Sequence, residues 1–293
     1  MCVYKTFKGG YGRIFLCIQM MKNSNMEAIE EYKNFWKLYS PYKLHPKDEK
    51  QISKQKNKDE LVIKLCVEDL IKKYGNLKNK TNNADFQMNI NPNAIHSNMY
   101  CKSFIGNPET AKVIILYGNP GLELGDYQDE HKDKEYIKIL NNDIRFHSDG
   151  FLFLNDLSKR TGGYNYWSNE GRLNTVIEGL SLKKGFSKEK AIEKLKESLC
   201  LLQSVGYHSP KLPTIKPESL PSSIMTRKLV HEYLLPKAKR NEIFIFSWRQ
   251  TKFWELEEGK NIMIRDRRKA QNGRFLKTTN EAERITEFLL EIL

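Results

Sequence analysis

A short turn, Gly118-Asn119-Pro120-Gly121, follows the apolar run Val113 to Leu116 after a single Tyr117, and Asp126 stands five residues beyond it. A side-chain amide on a tight turn can hold a water through its oxygen, and a carboxylate nearby can take a proton from that water. Asn is no general base near neutral pH, so Asn119 would act by positioning, with Asp126 as the second candidate for activating the water unless it belongs to a solvated acidic loop. Asp129 and Glu130 could serve the same end. Pro120 and Gly121 fix the turn, and with Gly118 they let the backbone approach a ligand closely. No Gly-Lys-Ser/Thr follows, so the turn is not a Walker A loop, and it lacks the GxGxxG spacing of a dinucleotide site.

Other residue groups could complete a site around that turn. The segment FLFLNDLSKRTGGYNYW carries Phe151, Phe153, Tyr164, Tyr166 and Trp167. These rings either pack in a core or stack on a planar ligand. In LLQSVGYHSP, Gln203, His208 and Ser209 bring an amide, an imidazole and a hydroxyl to a loop that follows an apolar run. Arg249 and Lys252, then Arg265, Arg267, Arg268, Lys269 and Arg274, form basic groups that either clamp phosphates or cover a solvated loop. The balance of 49 Lys and Arg against 36 Asp and Glu, a formal charge of +13, favours a polyanionic partner, nucleic acid above all. Five widely spaced cysteines with no CxxC pair suggest reduced thiols in the cytoplasm, with neither a disulfide framework nor a zinc site. No apolar stretch reaches the roughly 18 residues of a membrane span. The first residues lack a signal-peptide cleavage pattern, and Met20, Met21 or Met26 could be the start.

The elements that must position these groups alternate. After Val113–Leu116, the segments CLLQSV (200–205), EIFIFSW (242–248) and NIMIR (261–265) have strand character, with helical patterns over 187–199 and 223–234 between them. Residues 27–75 carry two helical patterns, the second ended by Gly75, around a polar, Lys-rich segment expected to be a solvated loop or helix surface, and 76–100 is an Asn-rich connector. The expected fold is α/β: a three-layer α/β/α sandwich with a four-stranded, mostly parallel central sheet. An N-terminal helical extension and connector (1–99) would precede this α/β domain (100–293). In such sheets ligands bind at the carboxyl ends of the strands, where Asn119 stands.

YGNPGLELGD resembles the first motif of the uracil-DNA glycosylase superfamily, closest to the Gly-Ile-Asn-Pro-Gly-Leu form of its mismatch-specific branch. SFIGNPETAKVIILYGNPG, FLFLNDLSKRTGGYNYW, VGYHS and LPSSIMTRKLV resemble other segments of its prokaryotic members, so the likeness spans about residues 100–293. It implies a monofunctional glycosylase that flips a uracil or C5-modified pyrimidine out of DNA and hydrolyses its glycosidic bond, in repair or in defence against phages, without metal or organic cofactor. A monomer is assumed. The resemblance gives Asn119 the hydrolytic water and puts a base-reading amide at Gln203, with His208 or Ser209 as a further donor to the base. The strict uracil branch has a Tyr where this chain has Gly121, which implies room for C5 substituents. One departure stands out: RDRRKAQNGRFLKTTN occupies the place of the family's His-Pro-Ser motif and contains no histidine. An inactive nucleic-acid-binding module of the same fold, or a hydrolase of free nucleotides, are the alternatives.

Overall fold

Four apolar runs with strand character lie side by side in one sheet, because each is buried on both faces and only backbone pairing can satisfy its peptide groups there. The computed structural model describes residues 26–148, 150–159, 161–168, 171–265 and 279–293. In chain order its elements begin with α1 (26–36), α2 (Pro46–Ile52), α3 (Lys58–Leu61), β1 (Val62–Ile63), α4 (Val67–Tyr74), α5 (Lys80–Met88), β2 (Ile95–His96) and β3 (Phe104–Ile105). There follow β4 (Val113–Tyr117), α6 (Leu124–Lys132), α7 (Lys134–Ile144), α8 (Gly162–Trp167), α9 (Asn174–Lys184), α10 (Lys188–Ser198) and β5 (Leu199–Gln203). The last are α11 (Pro221–Leu229), a π-helical turn (Val230–Leu234), α12 (Leu235–Lys239), β6 (Phe244–Ser247), α13 (Thr251–Trp254), β7 (Ile262–Ile264) and α14 (Thr279–Ile292).

The main sheet has the order β3-β5-β4-β6-β7. Strands β5, β4, β6 and β7 are parallel, and β3 is antiparallel to β5. The sheet thus has five strands rather than the expected four. The extra one is a two-residue edge strand, too short to show a period in sequence. Residues Val113 to Leu116 are fully buried, as are Leu202, Ile245 and Phe246. Register sets Tyr117 beside Gln203 and Leu116 beside Ser247, so the chain leaves β4, β5 and β6 along one edge. The chain passes from β4 to β5 on one side of it and then from β5 to β6 on the other, the arrangement that opens a crevice at the carboxyl ends.

Residues 26–100 do not stand apart from this sheet. Helix α1 buries Ala28, Ile29, Tyr32, Phe35 and Trp36, one face at helical spacing, and Tyr32 and Trp36 meet Phe104 at 5.7 and 6.1 Å between ring centres. The Lys-rich segment expected to be a solvated loop or helix surface forms α2, and its buried Asp48 accepts bonds from the Tyr207 hydroxyl (2.7 Å) and the Ser222 amide (2.9 Å). The helix expected over 59–76 is interrupted. Val62 and Ile63, both β-branched, pair with Ile95 and His96, and only Val67–Tyr74 continues as α4. Gly75, with φ of 65°, then ends that helix. The Asn-rich connector contains α5, capped by the Asn79 side chain.

Candidate active site

The segment after β5 holds the turn after β4 in place. Gly118 O accepts from Ser204 Oγ (2.8 Å) and Val205 N (2.9 Å), and Gly121 O accepts from His208 Nδ1 (2.7 Å). From the other side α5 braces the turn: Gln87 Nε2 donates to Leu122 O and Asn83 Oδ1 accepts from Leu124 N. Between these supports lies a cleft of about 290 Å³ that brings together Gly118's neighbours Tyr117 and Asn119 with Pro120, Gly121, Asp126, Phe153, Tyr166, Trp167, Gln203, His208 and Arg249.

Asn119 is held in one orientation. Its Nδ2 donates to Ser209 O and Ser209 Oγ, both at 3.0 Å, and to Lys211 O at 3.3 Å. The Ser209 hydroxyl gives its own hydrogen to Lys211 O at 2.5 Å, so all three neighbours are acceptors and the amide nitrogen must face them. The amide oxygen is thereby left to accept from a molecule in the cleft. Ser209 is therefore an anchor for Asn119 and is not among the cleft-lining residues.

The three acidic candidates separate. Asp126 lines the cleft, with Oδ2 accepting from Glu123 N at 2.7 Å as part of the α6 N-terminus. Asp129 is buried against Lys78 (2.5 Å) outside the cleft, and burial lifts its carboxyl to about 6 despite that lysine. Glu130 is fully buried. Burial alone would raise its carboxyl, but His208 and Lys102 overturn this and hold it down at about 2. Its Oε1 lies 2.5 Å from Lys102 Nζ and 3.0 Å from His208 Nε2, and its Oε2 accepts from Tyr100 N. His208 thus faces acceptors through both nitrogens, Gly121 O and Glu130. Rather than reaching a base edge, it ties the turn to a buried ion pair.

Gln203 is 1% exposed, and its Oε1 has no hydrogen-bond partner although it lies in the cleft. An orphaned buried acceptor of this kind costs on the order of 1–3 kcal/mol and marks where a donor on a ligand would bind. Phe153 also lines the cleft, its ring in the space that any side chain at Gly163 would occupy. Tyr166 shares a 2.9 Å hydroxyl bond with Tyr117, and the Arg172 guanidinium lies 3.4 Å over its ring. Trp167 is buried among Tyr117, Phe151, Tyr166 and Trp248, so it both packs in the core and lines the cleft. Phe151 is fully buried and does not line the cleft, and Tyr164 is half-buried outside it.

Of the basic candidates, Arg249 is exposed at the cleft mouth, 5.2 Å over the Tyr117 ring, and Lys252 is exposed on α13. Arg265 is only 8% exposed, so it does not offer its guanidinium to a phosphate as expected. Arg267, Arg268, Lys269 and Arg274 lie outside the described residues. Sequence reasoning missed Lys102, Tyr136 and Gln87, which also line the cleft, because nothing around them in the chain has a motif's spacing. Among the described residues, no group of three or more His, Cys, Asp or Glu side chains could hold a metal ion, and no helix is long and apolar enough to cross a membrane.

Comparison with known proteins adds no relative. No family model matches the chain, and neither a curated protein nor a solved structure is significantly similar to it.

Proposed function

We propose that the chain is a monofunctional DNA glycosylase of the uracil-DNA glycosylase superfamily that removes uracil or a C5-modified pyrimidine by hydrolysis, serving repair or defence against phages in the cytoplasm. The reading rests on one observation above all: the threefold hold on the Asn119 amide nitrogen, which leaves its oxygen to position a water at the carboxyl end of β4. Gln203 supplies an unpaired acceptor for the ring N–H of a flipped uracil or the exocyclic amine of a cytosine, and Phe153 or Tyr166 a surface to stack on. Arg249, Lys252 and the basic residues 267–274 would meet the phosphates, without metal or organic cofactor in the reaction. Right-handed crossovers on either side of β4 would place helices on both faces of the sheet, completing the three-layer sandwich of that family.

Gly121 supports tolerance of C5 substituents. A side-chain carbon there would meet nothing within 4 Å, and Tyr127, which could have filled the gap, is buried with its hydroxyl 2.6 Å from His96. The test is incubation with duplexes carrying uracil, mismatched thymine, 5-hydroxymethylcytosine or its glucosylated form, followed by alkali cleavage at abasic sites. Strand breaks at one or more of these bases support the reading, and their absence from all refutes it. A second reading, a binding module without catalysis, is favoured by His208: it is the cleft's only histidine among the described residues, and both of its nitrogens are engaged elsewhere. Binding to the same duplexes without strand breaks would favour it.

A further inference from the structure

The inner end of the cleft contains a charge that the reaction could use. Lys102, just before β3, lines the cleft yet is only 5% exposed, in company with Gln203, Phe153, Tyr136 and Leu201, all buried. Its Nζ lies 2.5 Å from Glu130 Oε1 and donates to the Tyr136 hydroxyl at 3.4 Å. An ammonium has three hydrogens, so one is left over. A buried ammonium keeps its charge only where a fixed anion compensates it. Burial by itself would drive Lys102 toward the neutral form, and Glu130 beside it reverses that. Glu130 Oε1 also faces His208 Nε2 at 3.0 Å, so the anion is not the lysine's alone.

We propose that Lys102 is the catalytic cation that receives the negative charge of the departing base, an assignment that rests on the base-excision reading above. In the hydrolysis, the oxygen of the water held by Asn119 bonds to the sugar carbon C1′ as the C1′–N bond breaks. The bonding electron pair leaves on the base, where ring nitrogen and carbonyl oxygen share it. The water's second proton passes to solvent through the open mouth, and the released base takes one back from solvent. Lys102 transfers no proton. It lowers the barrier by standing, already oriented and out of water, where negative charge develops. That supplies from the entry to β3 the electrophile that the loop after β7 lacks a histidine to provide.

The experiment varies the leaving group. Single-turnover excision of uracil and of 5-fluorouracil, whose ring nitrogen is more acidic, is compared in identical duplexes for the wild type, Glu130→Gln and the double variant Lys102→Met/Glu130→Gln. The double variant avoids stranding a buried charge, and Glu130→Gln alone removes the anion that holds Lys102 charged, so it too should slow uracil more than 5-fluorouracil. Loss of one preorganised donor typically costs about 100- to 1,000-fold. Uracil excision by the double variant should fall by about that factor. The fall for 5-fluorouracil should be about tenfold smaller, because an easier leaving group needs less help. Equal slowing of both bases, or none, overturns the role of Lys102 while leaving the glycosylase reading intact. Absence of excision by the wild type on every modified pyrimidine refutes that reading and this role together. Binding of free 5-fluorouracil probes the same role without turnover. It should tighten as the base ionises with rising pH in the wild type and lose that dependence in the double variant, and an unchanged dependence counts against Lys102.

Discussion

At the inner end of the cleft the polar groups answer one another: Lys102, Glu130 and His208 form a buried chain that ends on the carbonyl of Gly121. At its mouth Lys211, Leu212 and Arg249 are exposed, and the Arg249 guanidinium rests on aromatic faces, 5.2 Å from the Tyr117 centroid and 5.8 Å from that of Trp248. The difference is one of dielectric. Inside, each charge is worth several kcal/mol and must be matched. Outside, solvent screens it, and it acts on a partner through the long-range field. The inner end can thus orient a reacting group, while the mouth can recruit a polyanion with little effect on folding.

Removing one member of the inner chain should have the largest effect. Glu130→Ala leaves Lys102 and His208 facing each other unmatched, and a loss of about 3–5 kcal/mol is expected in urea unfolding. A loss below about 1 kcal/mol would mean that the inner end is far wetter than its burial indicates. Asn119→Ala should slow excision by about 100-fold or more with DNA affinity unchanged, because positioning of the water matters in the transition state. If affinity falls in step with rate, Asn119 binds substrate and does not hold water. Gly121→Ala tests the junction between the two ends. At a φ of 77° with open space around it, the methyl group should cost about 1–2 kcal/mol of stability through backbone strain alone.

The mouth should respond differently. Arg249→Gln with Lys252→Gln should change stability by no more than about 0.5 kcal/mol. The same pair should lower the salt slope of DNA binding by about two, at roughly 0.9 per phosphate contact. An unchanged slope would mean that neither residue meets DNA. The smallest effect is invisible at pH 7. Burial, and then the nearby His208, lower the His96 imidazole from 6.5 to about 4. The unfolded chain therefore binds the extra proton first as pH falls. The stability that goes with neutral His96 is complete above 6.5 and is lost between there and about 4. Glu130, held at about 2 against an ordinary 4.5, keeps its contribution above 4.5 and loses it as pH falls toward 2. His96→Gln should flatten the upper window of a urea-midpoint titration and leave the lower one.

The parallel strands and the turn are legible in the sequence because long apolar runs and a Gly-Asn-Pro-Gly turn are local signals. The expected runs at 200–205, 242–248 and 261–265 coincide with β5, β6 and β7 to within two residues at either end. The inner end is not legible. Lys102 sits in Cys-Lys-Ser-Phe, which in sequence is an ordinary surface lysine, and it is buried only because Glu130 arrives from a helix 28 residues later. Asp48 has the look of a polar loop residue for the same reason, since the hydroxyl and amide that satisfy it belong to Tyr207 and Ser222. Among the acidic residues of α6, sequence cannot choose between Asp126, Asp129 and Glu130. The choice depends on which side of the helix the cleft opens.

The Asp48 carboxylate bears on how the molecule is assembled. It is bonded to partners 159 and 174 residues away, and the cleft is braced by α5 on one side and by the segment after β5 on the other. Such closures carry a high loop-entropy cost before they return any contact energy. Helix α2 therefore cannot settle on its final neighbours while the chain is being made, because Ser222 leaves the ribosome long after Asp48. Folding should be slow and concerted, with refolding rate falling little in Asp48→Asn and unfolding rate rising, as expected of a contact made after the main barrier.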